Sequence, residues 1–368
     1  MHLYVHVPFC ARRCSYCDFA IAVRREVPSE AFTGAVLREW AEWQKDPAWD
    51  GSPVLDTIYF GGGTPSRLAA PQLAGLLGRF REEREVAADA EITLEANPDD
   101  VSPAVAEAWA AAGINRVSLG AQSFSPAVLA WMHRTHSAAQ IAEAVGTLRA
   151  AGISNLSLDF IYALPEQLAR DWQDDLEQAL ALAPPHLSLY ALTVESGTPL
   201  GRWTARGEAL PPPEERAAEE FLLANQRLTE AGYQHYEVSN SARPGFRARH
   251  NSAYWQRRPF IGLGPSAHSG FADRRAWNVR EWEEYRRRGE AGESLRAASE
   301  ILTPEQVALE QLYLGLRTDR GVEASSVPEE DAKRWLQAGW ATEALGRLRL
   351  TPEGWLRLDA LVASLTHC

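Results

Sequence analysis

The sequence predicts an α/β protein, in which a partial (β/α)6 TIM-like barrel is followed by a smaller α+β C-terminal region. Over the first two hundred residues, short β-rich runs alternate with amphipathic helical patterns, and this alternation is typical of βαβ units that build a parallel sheet. Six such runs would form most of a barrel. The alternation stops between residues 199 and 213, where two glycines are followed by three consecutive prolines.

The positions of the predicted strands and helices indicate where a functional site would lie. Chemistry in a barrel of this kind belongs at the C-terminal ends of the strands, so we expect functional side chains there. The strands are predicted at residues 3–9, 55–63, 91–98, 114–122, 155–165 and 186–195, and helices at 30–43, 71–83 and 138–152.

The pattern of the remaining sequence predicts two further regions. A helix (214–232) and a strand that starts at residue 234 precede an arginine- and aromatic-rich segment, and the tail reads as helices with a strand pair. The tail pattern is typical of a winged-helix-like domain. The predicted domains are therefore a barrel core (1–200), an accessory region (201–298) and a winged-helix-like C-terminal domain (299–368).

Composition excludes several classes of protein. The chain has 368 residues and a net charge of −12, which argues against a nucleic-acid-binding surface. No apolar run is long enough to span a bilayer. The N-terminus lacks the basic and apolar regions of a leader peptide. We therefore expect a cytoplasmic protein in a reducing compartment.

Three of the four cysteines cluster directly after the first predicted strand, as Cys10, Cys14 and Cys17. In a reducing compartment, clustered cysteines are more often metal ligands than disulfide partners. Three thiolates at this spacing can bind three irons of a [4Fe–4S] cluster and leave the fourth iron open. A zinc site with His6 as the fourth ligand is the alternative.

Polar or glycine-rich motifs close the next strands. The run YFGGGTPS has no lysine, so it is not a phosphate-binding P-loop, but its glycines allow close backbone approach to a ligand. Glu95, Gln122 and Asp159 end three successive strands. Arg134 follows and either pairs with a carboxylate or lies on a helix surface.

The cysteine spacing, with Tyr16 before the third cysteine, resembles the radical S-adenosylmethionine (SAM) signature. The resemblance implies a [4Fe–4S] cluster on the three cysteines, with SAM on its open iron. Over essentially the full chain, the motifs resemble one branch of that superfamily, which contains oxygen-independent coproporphyrinogen III oxidase and the HemW-type haem chaperones.

This resemblance implies residue roles. Tyr4, Gly62 and Glu95 would contact the SAM bound to the cluster. The oxidase has a second SAM site, whose counterparts here would be Tyr16, Gly63, Thr64, Gln122, Arg134, Asp159 and Thr193.

Three features resemble the chaperone more than the oxidase. Phe19 stands where the oxidase has a further cysteine, and the oxidase's extension before the cysteine loop is missing. RHNSAYW (249–255) matches the chaperone motif H-N-x-x-Y-W. His250 would then be an axial haem ligand, although a lone histidine beside aromatics is otherwise more often structural. Nearby arginines at 243, 247, 249, 257 and 258 could meet the haem propionates.

The function implied by the resemblance is haem binding and delivery to acceptor haemoproteins, including membrane-bound respiratory enzymes. The alternative is radical decarboxylation of coproporphyrinogen III. Neither reading assigns a catalytic residue or a nucleic-acid partner. The chaperone reading also allows a homodimer and peripheral contact with a membrane. The loop GLGPSAHS also resembles this family, with Ser266 where we expect glycine.

Overall fold

The computed structural model describes residues 1–47, 53–210 and 213–365. Pro211 and Pro212, which belong to the predicted break, and Cys368 lie outside the described residues.

The described strands, in chain order, are β1 (His2–Val7), β2 (Phe9–Cys10), β3 (Ala22–Val23), β4 (Leu55–Gly62), β5 (Val86–Ala96), β6 (Arg116–Gln122), β7 (Asn155–Tyr162), β8 (His186–Ala191), β9 (Gln234–Glu237), β10 (Asn240–Ala242), β11 (Phe260–Leu263), β12 (His268–Phe271), β13 (Arg274–Asn278), β14 (Arg296–Ile301), β15 (Val322–Glu323), β16 (Ala341–Ala344) and β17 (Arg347–Leu350).

The described α-helices are α1 (Ser29–Trp43), α2 (Ala70–Glu83), α3 (Pro103–Ala112), α4 (Pro126–Trp131), α5 (Ala138–Ala150), α6 (Trp172–Ala181), α7 (Pro199–Ala205), α8 (Glu214–Glu230), α9 (Arg249–Trp255), α10 (Trp282–Ala291), α11 (Pro304–Leu316), α12 (Glu329–Gln337), α13 (Pro352–Trp355) and α14 (Leu358–Ser364). Within the described ranges, no helix combines the length and the apolar character needed to cross a bilayer.

The predicted barrel is present. All six predicted strands form, as β1 and β4 to β8, and neighbouring pairs run parallel in that order. The helical crossovers between them place α1, α2, α3, α5 and α6 in the chain between successive strands, as βαβ units require. The α/β prediction is confirmed.

The sheet extends further than the sequence pattern indicates. β11 adds a seventh parallel strand beside β1, pairing His2 with Phe260 and Val5 with Leu263. Antiparallel strands β12 to β14 continue that edge, and β10 and β9 continue the other. The accessory region therefore shares one twelve-stranded sheet with the barrel. We keep the boundary at residue 200 as a proposed division of function.

Strand β1 shows how the sequence separates core from site. Leu3, Val5 and Val7 are fully buried in the main apolar core, which also takes in the apolar face of α1. His2 and His6 alternate with them, and alternate residues of a strand point to opposite faces.

The barrel interior is polar, unlike the packed aliphatic interior typical of a complete TIM barrel. Neighbouring strands each contribute buried or half-buried polar side chains at alternating positions. Those of β4 to β8 are Thr57, Tyr59, Glu91, Thr93, Glu95, Arg116, Ser118, Ser157, Asp159, His186 and Ser188. Burying polar side chains costs free energy unless they form hydrogen bonds with each other or with a ligand.

The C-terminal unit contains α11, β15, α12 and the β16–β17 hairpin, and its sheet has the order β15-β17-β16. Trp335 is fully buried at its centre, and the Trp355 indole N–H donates to the Leu316 carbonyl at 3.0 Å. Its winged-helix character stays a prediction.

Candidate functional site

A cavity of about 480 Å³ opens at the C-terminal ends of the parallel strands. It brings together every site residue that the sequence predicts except Tyr4 and His250. These lining residues are Cys10, Cys14, Tyr16, Cys17, Gly62, Gly63, Thr64, Glu95, Gln122, Arg134, Asp159 and Thr193. Apart from Arg134, which follows α4, they come from the ends of five parallel strands, β4 to β8, and from the cysteine loop, so their convergence follows from the parallel topology.

The cysteine thiols are free and differ in their surroundings. Burial raises the pKa of the Cys10 thiol, although the Thr64 hydroxyl donates a hydrogen bond to its Sγ at 3.4 Å. Burial also raises the pKa of Cys17 to about 11. The Arg134 guanidinium donates to Cys14 Sγ at 3.7 Å. Buried thiols of this kind become thiolates when a cationic metal centre binds them.

The donor set fits an iron–sulfur cluster better than the zinc alternative. His6 would be the fourth zinc ligand, but its Nδ1 is paired with the Tyr4 hydroxyl at 3.0 Å and its Nε2 with the Ala20 carbonyl at 2.9 Å. No three His, Cys, Asp or Glu side chains of the described residues converge on one ion. Three thiols on one cavity wall suit the separate irons of a cluster.

The glycine run gives the cavity room beside the thiols. At Gly63, a Cβ would lie 3.0 Å from Cys10 Sγ and 2.7 Å from the Pro8 carbonyl. Gly62 has φ +112°, and a Cβ there would lie 2.5 Å from the His6 ring. Both positions therefore require glycine, and the backbone comes close to whatever occupies the cavity.

Glu95 lines the same cavity as the thiols. Its Oε1 accepts a hydrogen bond from the Tyr59 hydroxyl at 2.7 Å, and its Oε2 accepts from the Gly62 N–H at 3.0 Å. Burial raises the pKa of this carboxyl to about 7, against the lowering effect of both hydrogen bonds. A cationic ligand would favour the ionised form.

Arg134 does not lie on a helix surface, because it follows α4 and turns into the cavity. Its guanidinium donates to Asn97 Oδ1 at 2.5 Å and to the Gly120 carbonyl at 3.0 Å. Gln122, at the end of β6, has φ +67°. Backbone in this region is uncommon outside glycine and often occurs at functional sites.

Asp159 lies deeper in the cavity. It accepts hydrogen bonds from the Ser118 hydroxyl at 2.8 Å and the Ser157 hydroxyl at 2.9 Å. Burial raises its pKa. Hydroxyl donors at this depth stabilise the carboxylate without neutralising its charge.

The sequence reasoning missed several lining residues, of which Arg116 is the most unusual. It is 1% exposed, and among the described residues its Nε has no hydrogen-bond partner. The signal was present, because Arg116 and Ser118 alternate with the apolar residues Val117 and Leu119 on β6 and so point to the opposite face from the core. Other polar lining residues that it missed include Asn97, Ser188 and Tyr190, whereas Asn251 was predicted only as part of the H-N-x-x-Y-W motif.

His250 is placed beneath the cavity and does not line it. The residue is 1% exposed, its Nδ1 is paired with the Thr57 hydroxyl at 2.6 Å, and its Nε2 with the Tyr254 hydroxyl at 2.8 Å. The ring stacks on Tyr59 with centroids 5.0 Å apart. Glu91 accepts the backbone N–H of His250 at 2.9 Å and so anchors the start of α9.

Tyr4 also lies beneath the cavity floor. Its ring lies near Gly61, where an added Cβ would meet Tyr4 and the Glu95 carboxylate, each at 3.0 Å. Both side chains thus pack against the position that a Cβ of Gly61 would occupy. Tyr4 supports this wall through packing.

The five arginines expected to meet propionates do not converge on His250. Arg247 pairs with Asp319, Arg249 with Asp89 and Arg257 with Glu310. The Arg243 guanidinium lies over the Tyr233 ring at 4.7 Å. Arg258 is exposed.

The fold and the three-cysteine cavity define a radical SAM protein, and the model of the Radical SAM superfamily matches residues 4–179. The structure is similar to that of HemN, the Escherichia coli coproporphyrinogen III oxidase. The TM-score is 0.82 at 22% identity, over 100% of this chain and 90% of that chain. At that identity the likeness shows the fold.

Curated relatives give the narrower assignment. The chain is 38% identical over 333 residues to the heme chaperone HemW of Synechocystis, covering 88% of this chain and 80% of that protein. It is 37% identical over 367 residues to the heme chaperone HemW of Mycobacterium tuberculosis H37Rv, covering 99% and 94%. The chain belongs to the HemW family of haem chaperones.

Proposed function

We propose that this protein is a haem chaperone, which binds haem and delivers it to acceptor haemoproteins. The observation that carries the proposal is the extent of the similarity to HemW proteins. The match to the M. tuberculosis relative extends over 367 residues, so it includes helix α9 with its H-N-x-x-Y-W motif. The function thus rests on the accessory region as well as on the barrel.

Cys10, Cys14 and Cys17 would hold a [4Fe–4S] cluster, and SAM would bind beside it. Such a group supplies one-electron chemistry when it is bound and reduced. The protein's own contribution is to position it. Because Gly62 and Gly63 have no side chains, SAM would approach the backbone there closely. The Glu95 carboxylate would accept a hydrogen bond from the ammonium group of SAM.

The residues expected at a second SAM site also line the cavity, at the wall formed by Gln122, Asp159 and Thr193. They supply hydroxyl, amide and carboxylate groups, which suit the ribose and amino-acid parts of SAM. Arg134 lies between this wall and Cys14. Equilibrium dialysis would count directly how many SAM molecules bind in the cavity.

His250 would bind haem iron only after a local opening of α9. Its Nε2 must give up the hydrogen bond with the Tyr254 hydroxyl before it can bind a metal, because in either tautomer that bond leaves Nε2 without a free lone pair. The neutral imidazole is favoured, since burial holds the pKa of His250 well below its ordinary value. A neutral ring is the form that ligates iron.

The competing function is coproporphyrinogen III oxidation, and the site departs from it at Phe19. That residue lines the cavity, is 58% exposed and stands where the resemblance expects the oxidase's further cysteine. A large phenyl group at the mouth occupies space beside the cluster loop. We also propose a cytoplasmic location, with haemoprotein acceptors that include membrane-bound respiratory enzymes.

An anaerobic assay tests chaperone against oxidase. Cluster-reconstituted protein is mixed with SAM, a low-potential reductant and coproporphyrinogen III, and the porphyrins are separated by chromatography. We expect no decarboxylated product, whereas haem added to the same preparation binds. Protoporphyrin-level product would contradict the proposal. HemN from E. coli, assayed in parallel, establishes that the conditions support turnover.

A further inference from the structure

A second, wider groove lies between the end of α9 and the C-terminal unit. Its volume is about 1210 Å³, and Trp255 lines one side of it while residues of α11 and β17 line the other. We infer that this groove docks haem by its propionates and its ring face. The inference rests on the proposed function and adds a docking site that is separate from the His250 pocket.

The groove is basic on a protein that is acidic as a whole. Five arginines and one glutamate line it, whereas the full chain carries a net charge of −12. The charged lining residues are Arg257, Arg258, Arg320, Arg347, Arg349 and Glu323. A local positive surface on an acidic protein attracts anions selectively.

Two of these arginines are already neutralised and three are not. Arg257 pairs with Glu310 at 2.5 Å, and Arg347 pairs with Glu323. Among the described residues, the guanidinium groups of Arg258, Arg320 and Arg349 have no carboxylate within 4.0 Å and donate no hydrogen bond. Three free guanidinium groups are suited to two carboxylates, which arginine binds in bidentate geometry.

The groove also has apolar surface. Leu309 is 38% exposed, and Leu312 and Trp255 are partly exposed beside it. The Arg317 guanidinium lies 4.3 Å from the Trp255 ring centroid and holds one face of the indole. Aromatic and aliphatic side chains next to free guanidinium groups match a ligand that has a flat apolar body and acidic edges.

Helix geometry links this groove to the H-N-x-x-Y-W motif. Five residues along an α-helix correspond to about 140° of rotation, so His250 and Trp255 lie on well-separated faces of α9. His250 contacts Thr57 inside the barrel, whereas Trp255 lines the groove. One rigid haem therefore cannot contact both in this conformation, and the accessible face of the motif is the one in the groove.

The test compares haem with its dimethyl ester, which keeps the ring and iron but lacks the two acidic groups. Binding is followed by absorption for the wild type, for the double variant Arg258→Ala/Arg320→Ala and for the triple variant that adds Arg349→Ala. Arg258 and Arg320 are exposed, so the double variant keeps the fold even where removal of the less exposed Arg349 disturbs it. Arg25→Ala is the matched control, because Arg25 is exposed and does not line the groove.

We expect haem to bind the double variant at least tenfold more weakly than the wild type, and the triple variant more weakly still. The dimethyl ester should bind all three alike, at the weakened level. The control should match the wild type. Unchanged haem affinity in both variants, with the wild type binding haem tightly, would overturn the proposal that this groove docks haem. The proposal that the protein binds haem would stand.

Other outcomes separate the two proposals. Failure of the wild type to bind haem would overturn the proposed function first. A double variant that binds haem normally but loses binding to RNA or to anionic lipid vesicles would assign the groove to one of those ligands instead, and would overturn the inference. Equal binding of haem and its ester to the wild type would likewise contradict a propionate site.

Discussion

The Arg134 guanidinium donates one hydrogen bond to Cys14 Sγ at 3.7 Å and another to Asn97 Oδ1 at 2.5 Å. Asn97 and the Gly120 carbonyl thus hold the positive charge against one of the three thiols. Burial opposes the charge, but the neighbouring Tyr16 and Cys14 groups raise the pKa of Arg134, so the cation persists at any ordinary pH. A fixed cation beside a cluster ligand stabilises the reduced, more negative form.

Replacement of Arg134 by glutamine should therefore lower the midpoint potential of the reconstituted cluster. A shift of a few tens of millivolts is expected, since ~59 mV corresponds to a tenfold change for a one-electron couple. A potentiometric titration monitored by electron paramagnetic resonance measures it. Arg13→Gln, in the cysteine loop, is the control, because Arg13 is exposed and donates to the Cys17 carbonyl. An unchanged potential in the Arg134 variant would refute the electrostatic role.

Glu95 should make SAM affinity depend on pH. Its pKa is raised to about 7 by burial, so the carboxyl is mostly neutral at pH 6 and mostly ionised at pH 8. The ionised form attracts the cationic ligand, so affinity rises with pH through about 7 and then levels off. The ionised fraction of such an acid changes about tenfold between pH 6 and pH 8. Anaerobic titration of the reconstituted protein with SAM gives the profile.

Two variants complete the pH experiment. Glu95→Gln should give weaker binding with a flat profile over the same range. Glu39 offers a matched control, because burial also raises its pKa to about 7 but it bonds with Asn278 and Tyr285 away from the cavity. Glu39→Gln should keep the rising profile. A rising profile that persists in Glu95→Gln would assign the titration to another group.

Tyr254→Phe tests whether His250 ligates haem. The change removes the hydroxyl that occupies His250 Nε2 and leaves the buried ring in place. A neutral hydrogen bond contributes roughly 0.5–1.5 kcal/mol, so haem should bind about two- to tenfold more tightly. Absorption titration in the Soret region measures the gain. Tyr313→Phe, which removes a hydrogen bond to Asp359 in the C-terminal unit, is the control.

The gain in haem affinity of Tyr254→Phe must depend on His250. Adding His250→Ala to Tyr254→Phe should abolish it. His250→Ala alone is less informative, because it leaves the Thr57 and Tyr254 hydroxyls without their buried partner and destabilises the barrel floor. Equal haem affinity in the wild type and Tyr254→Phe would argue that the iron is bound elsewhere.

Ser266→Gly should stabilise the protein. Ser266 has φ +63°, a left-handed conformation that favours glycine, and the resemblance expects glycine at this position. Relief of the strain should exceed the entropy cost of glycine and raise the free energy of unfolding by about 0.5–1 kcal/mol. Denaturant unfolding measures it. Ala298→Gly, in the exposed strand β14, should be destabilising. A less stable Ser266→Gly protein would contradict the strain argument.

Much of the barrel could be predicted because its strands carry strong local patterns. The alternation of apolar and polar residues in β1 and the glycine run at the end of β4 are both patterns that indicate structure within a few residues. The C-terminal edge of the sheet then follows from topology, and with it the convergence of Glu95, Gln122 and Asp159.

The rest depended on contacts between distant parts of the chain. β11 has only four residues, so its apolar pattern is too short to distinguish a strand, and it is fixed by pairing with β1 across more than two hundred residues. The burial of His250 depends on Thr57 and Glu91 in the barrel, which no local pattern reveals. For the same reason, the sequence alone could not separate free arginines from those paired with Glu310.

The most direct measurement is the rate of haem transfer. The haem-loaded protein is mixed either with haem-depleted respiratory membranes or with an excess of apo-globin, which traps haem that dissociates spontaneously. A chaperone should load the membranes faster than the globin, because transfer occurs within a complex and does not await dissociation. Equal rates to both acceptors would contradict the account, since the protein would then be a passive haem binder.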